Sequence, residues 1–281
     1  MRELRKQHYT GERALFMVHD AKIVDCLFDD GESPLKECLD LEVKTSTFDW
    51  KYPLWYGSRI QVSDCKFTVN ARAGIWYTND ASFSSCLIEA PKCFRACHNL
   101  TLENLNIPEA KETVWSCDGV TIKDVTVSQA DYFGYHSKNI VVDNLTLQGN
   151  YIFDSCENIT ISNSKLMTKD AFWNCKHVKA TNCYIEGEYI GWNSEDLEFV
   201  DCVIRSHQGL CYIKKLKMVN CQLLDTDLCF EYCSEIDAEI NSEVMSIKNP
   251  LSGVIKVKKV GEIILDDPNV DHSQTKIVVG E

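Results

Sequence analysis

The sequence lacks three features that would each define a broad class of protein. It has no apolar run close in length to the roughly twenty residues that a transmembrane helix needs. It has no surplus of positive charge: 29 Lys and Arg stand against 42 Asp and Glu, a formal net charge of −13, which argues against nucleic acid and anionic membranes as partners. Its amino terminus, MRELRKQHYTGER, lacks the apolar segment of a signal peptide, so we expect a cytoplasmic protein.

The motifs of common cofactor and metal sites are missing as well. There is no GxGxxG, P-loop, HExxH or Ser nucleophile elbow, so the sequence predicts no cofactor. No CxxC occurs, and the pairs Cys93/Cys97 and Cys229/Cys233 have a spacing that places their side chains far apart on a strand. We therefore predict no metal site.

What the sequence does contain is a repeat. A phrase in which apolar residues alternate with polar ones recurs every 19–21 residues, with Asn or Asp at its fifth position. The phrase begins at Ala21, Leu41, Ile60, Ala81, Leu100, Val120, Ile140, Ile159, Val178, Leu197 and Leu216, with degenerate copies at Ile236 and Ile255.

Alternation with a period of two predicts strands that bury one face. Asn and Asp tolerate the left-handed backbone of a corner and, stacked one strand spacing apart, can form an amide ladder. No helical periodicity is present. We predict an all-β, right-handed parallel β-helix of about twelve coils, in one domain. Residues 1–13 would cap the first coil, 14–240 would form the coils, and 241–281 would close the far end.

Twelve of the fifteen cysteines fall in two columns of the repeat alignment, where they interchange with other small residues. Because thiols are kept reduced in the cytoplasm, we expect buried free thiols that act as small apolar side chains. Cys211 falls instead in a column expected to face outward, and is the best candidate for an accessible thiol. The two columns are Cys26, Cys65, Cys86, Cys183, Cys202, Cys221 and Cys38, Cys97, Cys117, Cys156, Cys175, Cys233.

A further column, five residues before each phrase, holds five of the six tryptophans and is expected to face outward. Exposed aromatic strips mark interaction surfaces, and aromatic residues mixed with acids, amides and an arginine are typical of a groove for a polar small molecule or an oligosaccharide. The predicted ligand-binding residues are Trp55, Trp76, Arg95, Trp115, Tyr135, His136, Trp173, Trp192 and Glu231.

Two other interpretations of this column remain open. It can form a protein–protein interface, in a scaffold or a homo-oligomer, or a stack of rings that stabilises the coils. For a groove that cleaves its ligand, as a carbohydrate-active hydrolase or lyase, the candidate acids are Asp131, Asp154 and Asp170, because glycoside cleavage needs two carboxyl groups. Nothing in the sequence decides whether a reaction is catalysed.

The non-repeating phrases, in their order along the chain, resemble a bacterial family of right-handed β-helix proteins known only as a domain of unknown function. The resemblance covers nearly the whole chain and implies the fold without implying an activity. The phrases are TGERALF (10–16), DDGESPLKE (29–37), KYPLWY (51–56), ARAGIWYT (71–78), DAFWNC (170–175), GEYIGWNS (187–194), FEYCSEIDAEINS (230–242) and KNPLSG (248–253).

Overall fold

The structure is a computed structural model that describes residues 1–280, and it is a parallel β-solenoid, as the repeat predicts. Within these residues helix is limited to two 3₁₀ turns, Val69–Ala71 and His272–Gln274. No helix among them is long and apolar enough to cross a membrane. The chain divides into two compact units, Met1–Thr146 and a second one that begins at Leu147.

The first unit contains one long strand in each turn, followed in most turns by a short second strand. The long strands are Arg2–Arg5, His19–Val24, Leu39–Lys44, Ser58–Ser63, Asn79–Ser84, His98–Glu103, Asp118–Val127 and Lys138–Gly149, the last of which contains the boundary. The short strands are His8–Tyr9, Leu27–Phe28, Thr47–Phe48, Lys66–Phe67, Leu87–Ile88 and Asn106–Ile107, with Leu54–Trp55 and Ile75–Trp76 on a third side.

The second unit repeats this plan. Its long strands are Glu157–Ser162, Lys176–Thr181, Glu195–Val200, Lys214–Leu224, Ile236–Lys248, Gly253–Ile264 and Thr275–Val279. Its short strands are Lys165–Thr168, Tyr184–Gly187 and Val203–Ser206, with Asp170–Ala171 and Tyr189–Ile190 on the third side.

The pairing register confirms the alignment read from the sequence. Ala21 pairs with Leu41, Leu41 with Ile60, and Ile60 with Ala81, all in parallel. In the second unit Val178 pairs with Ile159 and Leu197, and Leu197 pairs with Leu216. The apolar positions of each phrase are buried and the intervening polar ones lie outside, so the register follows from which face must be covered.

The predicted number of coils is too low, since the solenoid has about fifteen turns. Arg2–Arg5, in the segment expected to be a cap, pairs in parallel with residues 21–24 and forms a turn of its own. At the other end Thr275–Val279 adds a turn on Gly253–Ile264. The last degenerate phrase is also shifted: Ile236 pairs with Gly253, two residues before the expected Ile255.

The corners are built from left-handed residues, as predicted. All nine Asn and Asp at the fifth phrase position have φ between 51° and 56°. Their amides form ladders along the turns, as where Asn182 Nδ2 donates to Asn163 Oδ1 at 2.8 Å and Asn220 Nδ2 donates to Asp201 Oδ1 at 2.6 Å. The side-chain ladder offsets the cost that a left-handed backbone imposes on any residue other than glycine.

Identical positions on successive turns also form the core. Phe28 stacks on Phe48 with ring centroids 4.8 Å apart, and Phe48 stacks on Phe67 at 4.7 Å. All fifteen cysteines are buried and free, which confirms the expectation of small buried thiols. Their sulfurs donate to main-chain carbonyls of their own and neighbouring turns, as Cys26 does to Val24 and Leu4.

The expectation of an accessible Cys211 is wrong. Its side chain is 0% exposed and its Sγ donates to the carbonyl of Gln208 at 3.5 Å. Burial raises the pKa of the Cys211 thiol to about 12. The next residue, Tyr212, takes the outward place in its stead and stacks on Trp192.

The phenylalanine stack provides a test of the core. Phe67→Ala should lower the free energy of unfolding by about 3–5 kcal/mol, because it removes a fully buried ring and leaves a cavity. The neighbouring Lys66→Ala, on the exposed face, should change it by less than about 1 kcal/mol. Urea unfolding followed by circular dichroism measures both, and equal effects of the two substitutions would contradict the assigned faces.

The thiols provide a second test. In the native protein a thiol reagent such as Ellman's reagent should modify few of the fifteen cysteines over minutes, because burial keeps the reagent away from their sulfurs. The same reagent should count all fifteen in denaturant. Rapid native labelling, with Cys211 among the first sites located by mass spectrometry, would overturn this account.

Candidate functional site

In the first unit the predicted groove residues lie in register on successive turns. Trp55 pairs with Trp76, and single bridges join Trp76 to Arg95 and Arg95 to Trp115. The residue before each of them is buried, so strand alternation turns this column outward. The column Trp55, Trp76, Arg95, Trp115 and Tyr135 is half-buried, and we call it the aromatic column of the first unit.

This column is a continuous stack. The indoles of Trp55 and Trp76 lie 5.2 Å apart and nearly parallel. The Arg95 guanidinium lies between Trp76 and Trp115, 4.7 and 4.8 Å from their ring centroids, and it also pairs with Glu112 at 3.3 Å. Arg95 therefore continues the stack through cation–π contacts with both indoles.

The stack leaves only ring edges for a ligand. Inserting another ring between two aromatic faces needs about 7 Å between their planes, at van der Waals contact on both sides. Trp115 and Tyr135 are 4.3 Å apart, and the exposed pair Tyr56 and Tyr77, one residue further along each turn, is 4.8 Å apart. His136 is exposed beside Tyr135, with its ring edge-on at 4.8 Å. The geometry thus favours self-stacking, and does not support sugar rings stacked on indole faces along this column.

The second unit has a stack of its own. Trp173 lies 5.8 Å from Trp192, Trp192 lies 4.7 Å from Tyr212, and Tyr212 lies 5.2 Å from Tyr232. Glu231, predicted to face a ligand, is only 5% exposed: it accepts from Gln208 Nε2 at 2.6 Å and pairs with Lys248 at 3.0 Å. The expectation that its carboxylate lies open in a groove is wrong, because these two partners compensate its burial.

The three predicted acids have different surroundings. Asp131 is exposed, in the first unit. Asp154 accepts from Ser155 Oγ at 2.8 Å and from Asn174 Nδ2 at 3.1 Å, and so forms the end of an amide ladder. Asp170, expected to lie outside, is 1% exposed.

Asp170 is the exception in the structure because its charge is buried without compensation. Neither carboxylate oxygen has a hydrogen-bond partner. Its main chain is well held, since its carbonyl accepts from Ile152 N at 3.1 Å and from Thr168 Oγ1 at 2.7 Å. Burial raises the pKa of Asp170 to about 6, an effect that Lys169 opposes and Glu188 reinforces. A buried carboxyl group that has no hydrogen-bond partner and a raised pKa is typical of functional sites.

Aromatic side chains surround this position. Asp170 pairs with Tyr189 on the next turn, and Tyr151 has the same place on the preceding one. The indole of Trp173 contacts both tyrosine rings edge-on, 5.4 Å from Tyr151 and 6.4 Å from Tyr189. A short carboxylate therefore replaces a ring in an aromatic column.

A polar cleft of about 460 Å³ opens directly beside Asp170 in the chain. Lys169 pairs with Glu188 across it at 3.8 Å, and Arg205 pairs with Asp225 at 2.8 Å. A side chain at Gly187 would lie 2.6 Å from the carbonyl oxygen of Thr168, so glycine permits the close approach of two turns. The cleft is lined by Thr168, Lys169, Glu186, Gly187, Glu188, Arg205, Ser206, His207 and Asp225. Sequence reasoning missed it because these residues lie at and just after the ends of strands, where their types differ from one turn to the next.

Among residues 1–280 no three His, Cys, Asp or Glu side chains are grouped in a way that could hold a metal ion.

The fold and this site define a parallel β-solenoid protein with an aromatic and acidic face. The chain belongs to the family described as "Protein of unknown function (DUF3737)", whose match spans residues 2–278. A comparison with curated proteins finds no match.

Several solved structures match this chain at low similarity. A mannuronan C-5 epimerase A-module from Azotobacter vinelandii is 11% identical, with 98% of this chain and 86% of that one covered and a TM-score of 0.37. A GH87 α-1,3-glucanase catalytic unit from Streptomyces thermodiastaticus is 13% identical, with 99% and 62% covered and a TM-score of 0.31. A surface adhesin of Streptococcus pneumoniae is 8% identical, with 93% and 76% covered and a TM-score of 0.25. These likenesses are too weak to assign an activity.

Asp170 gives a prediction on stability. Because its pKa is higher in the folded than in the unfolded chain, folding takes up a proton between about pH 4 and pH 6, and stability falls as pH rises through that window. Asp170→Asn keeps the shape and removes the charge, so at pH 7 it should raise the free energy of unfolding by roughly 1–3 kcal/mol. Urea unfolding at pH 4 and pH 7 measures the difference. A variant that is less stable than the wild type at pH 7 would show that the carboxylate has partners.

Proposed function

We propose that this protein binds a carbohydrate-type ligand on the second unit, at the face formed by the polar cleft and the aromatic residues around Asp170. The observation that carries the proposal is the Asp170 carboxylate, which is buried and has no donor. A folded protein retains such a costly group where a ligand supplies the missing hydrogen bonds.

The composition of the cleft suits a ligand rich in hydroxyl groups. Carboxylates of Glu186, Glu188 and Asp225 can accept hydrogen bonds, while Lys169 and Arg205 can donate them. A sugar hydroxyl group both donates and accepts hydrogen bonds, so it can bond to the carboxylates as well as to the cationic side chains. Trp173 and Trp192, whose rings lie 5.8 Å apart, belong to the same turns as Lys169 and Glu188 of the cleft.

The proposed function is binding of the ligand, and the same site has a group that could also catalyse its cleavage. A carboxyl group with a pKa of about 6 can act as a general acid or base near neutral pH. Glycoside cleavage needs a second carboxyl group in a defined position, and Glu188 is the acid that already influences the titration of Asp170. Product analysis in the binding experiment below separates a hydrolase or lyase from a binding module.

Self-association is a second candidate, favoured by a different observation. Tyr56 and Tyr77 of the first unit are 48% and 40% exposed and form a stacked pair beside Trp55 and Trp76. Exposed aromatic residues of this kind are common in protein–protein interfaces. Sedimentation of the wild type and of a Tyr56→Ser/Tyr77→Ser variant tests this. A concentration-dependent dimer that the double substitution abolishes would support the interface.

The binding experiment is a titration of the full chain with a panel of oligosaccharides, followed by intrinsic tryptophan fluorescence and by calorimetry. Arg205→Ala should weaken binding about tenfold, because it removes a charged donor from the cleft. Arg59→Ala is the matched control, since Arg59 is an equally exposed arginine paired with Asp40 in the first unit. The proposal fails if no saccharide binds, or if the two variants have the same effect.

A further inference from the structure

We propose that the group received at Asp170 is a positively charged nitrogen, so that the preferred ligand is an amino sugar with a free amine. The inference rests on the proposed function and specifies its ligand. It starts from two observations on the same side chain, the absence of any donor to its oxygens and the aromatic rings around it.

The missing hydrogen bonds to the Asp170 carboxylate favour a ligand group that is positively charged. A hydroxyl group can donate to the Asp170 carboxylate but leaves its negative charge buried and unbalanced. An ammonium group donates up to three hydrogen bonds, accepts none, and neutralises the charge in the same contact. Protonation of Asp170 does not remove the deficit, since within residues 1–280 its oxygens have neither a donor nor an acceptor in reach.

The chain does not supply this cation itself. Lys169 is the adjacent residue in sequence, but its ammonium pairs with Glu188 at 3.8 Å and its side chain is about half exposed. Its presence opposes the rise in the pKa of Asp170 only in part. The site therefore lacks one positive group that makes direct hydrogen bonds.

Aromatic residues around the carboxylate favour the same kind of ligand. Tyr151 and Tyr189 hold the strand positions on either side of Asp170, and Trp173 contacts both rings edge-on, with interplanar angles of 80° and 69°. Rings in such an arrangement attract cations through their electron-rich faces. A carboxylate together with aromatic rings is the combination that recognises an ammonium group.

The first unit contains an internal precedent. There Trp76 and Trp115, two turns apart, hold the Arg95 guanidinium between them at 4.7 and 4.8 Å. In the second unit Tyr151 and Tyr189 are likewise two turns apart, but the residue between them is Asp170. The aromatic column of the first unit therefore contains its own cation, Arg95. The corresponding rings of the second unit flank a carboxylate, Asp170, that has no cation bonded to it.

Because Asp170 is 1% exposed, the amine can reach it only when a covering side chain rotates. Trp173 is half-buried, contacts both tyrosines, and is held by a hydrogen bond from its Nε1 to the carbonyl of Tyr189 at 3.1 Å. Breaking this hydrogen bond opens the position without moving the main chain. Binding should consequently change the fluorescence of Trp173.

The experiment compares three oligosaccharides of equal length: glucosamine oligomers with free amines, their N-acetylated forms, and glucose oligomers. They are titrated into the full-length wild type, Asp170→Asn and Asp201→Asn. Asp201 is a carboxylate of the same unit that ends an amide ladder, so its substitution removes one charge at a distance from the cleft. Thermal unfolding confirms that each variant is folded.

The wild type should bind the free-amine oligomer about tenfold or more tightly than the other two, and Asp170→Asn should abolish that preference while Asp201→Asn retains it. The preference should also fall below pH 6, where the Asp170 carboxyl group, flanked by Lys169 and Glu188, becomes protonated. If all three oligomers bind the wild type equally and Asp170→Asn weakens all three alike, this inference fails and the proposed function stands. If Asp170→Asn changes nothing, both fail. If none binds, both fail.

Discussion

Parallel pairing in register, one turn directly on the next, is the constraint on which the rest of this structure depends. Because the strands of neighbouring turns lie about 4.8 Å apart, every side chain has the same position of the next turn as its closest neighbour. The side chains at equivalent positions of successive turns must therefore pack against one another or bond to one another. Phenylalanine stacks on phenylalanine, amides donate to amides or carboxylates, and lysine alternates with glutamate, as where Glu198 pairs with both Lys179 and Lys217.

The aromatic columns follow the same rule, and this changes their interpretation. An outward line of tryptophans in a sequence suggests open ring faces, but in register those faces are covered by the neighbouring rungs, including the guanidinium of Arg95. Asp170 breaks the rule, since neither of its neighbouring turns offers its carboxylate a donor. Among residues 1–280 it is the one buried carboxylate whose oxygens both lack a donor, and such a position indicates where an outside partner can bind.

The repeat made most of the fold predictable, because period, strand alternation and corner residues are all local signals. The registers from Ala21 to Val120 and from Ile159 to Leu216, the left-handed corners and the burial of the thiols follow from them. Arg2–Arg5 was expected to belong to a cap because that segment lacks the Asn–Cys corner, whereas Thr275–Val279 lies in the segment expected to close the far end with coils and strands. The orientations of Asp170, Cys211 and Glu231 could not be predicted, because they depend on which residue of a tight turn points outward. The cleft could not either, since it joins residues of four successive turns whose types differ from one turn to the next.

The 19-residue turn that places Asp170 also gives the fold a simple way to gain or lose a site. A chain shortened by residues 152–170 would join Tyr151 to Ala171 and keep every later column in register, because one whole turn has been removed. Tyr151 would then take the place of Asp170 beside Tyr189, and the unmatched carboxylate would give way to an ordinary aromatic pair. In such a protein the evolution of a binding site can proceed by deleting or duplicating complete turns, with the hydrogen-bonded framework left intact on either side.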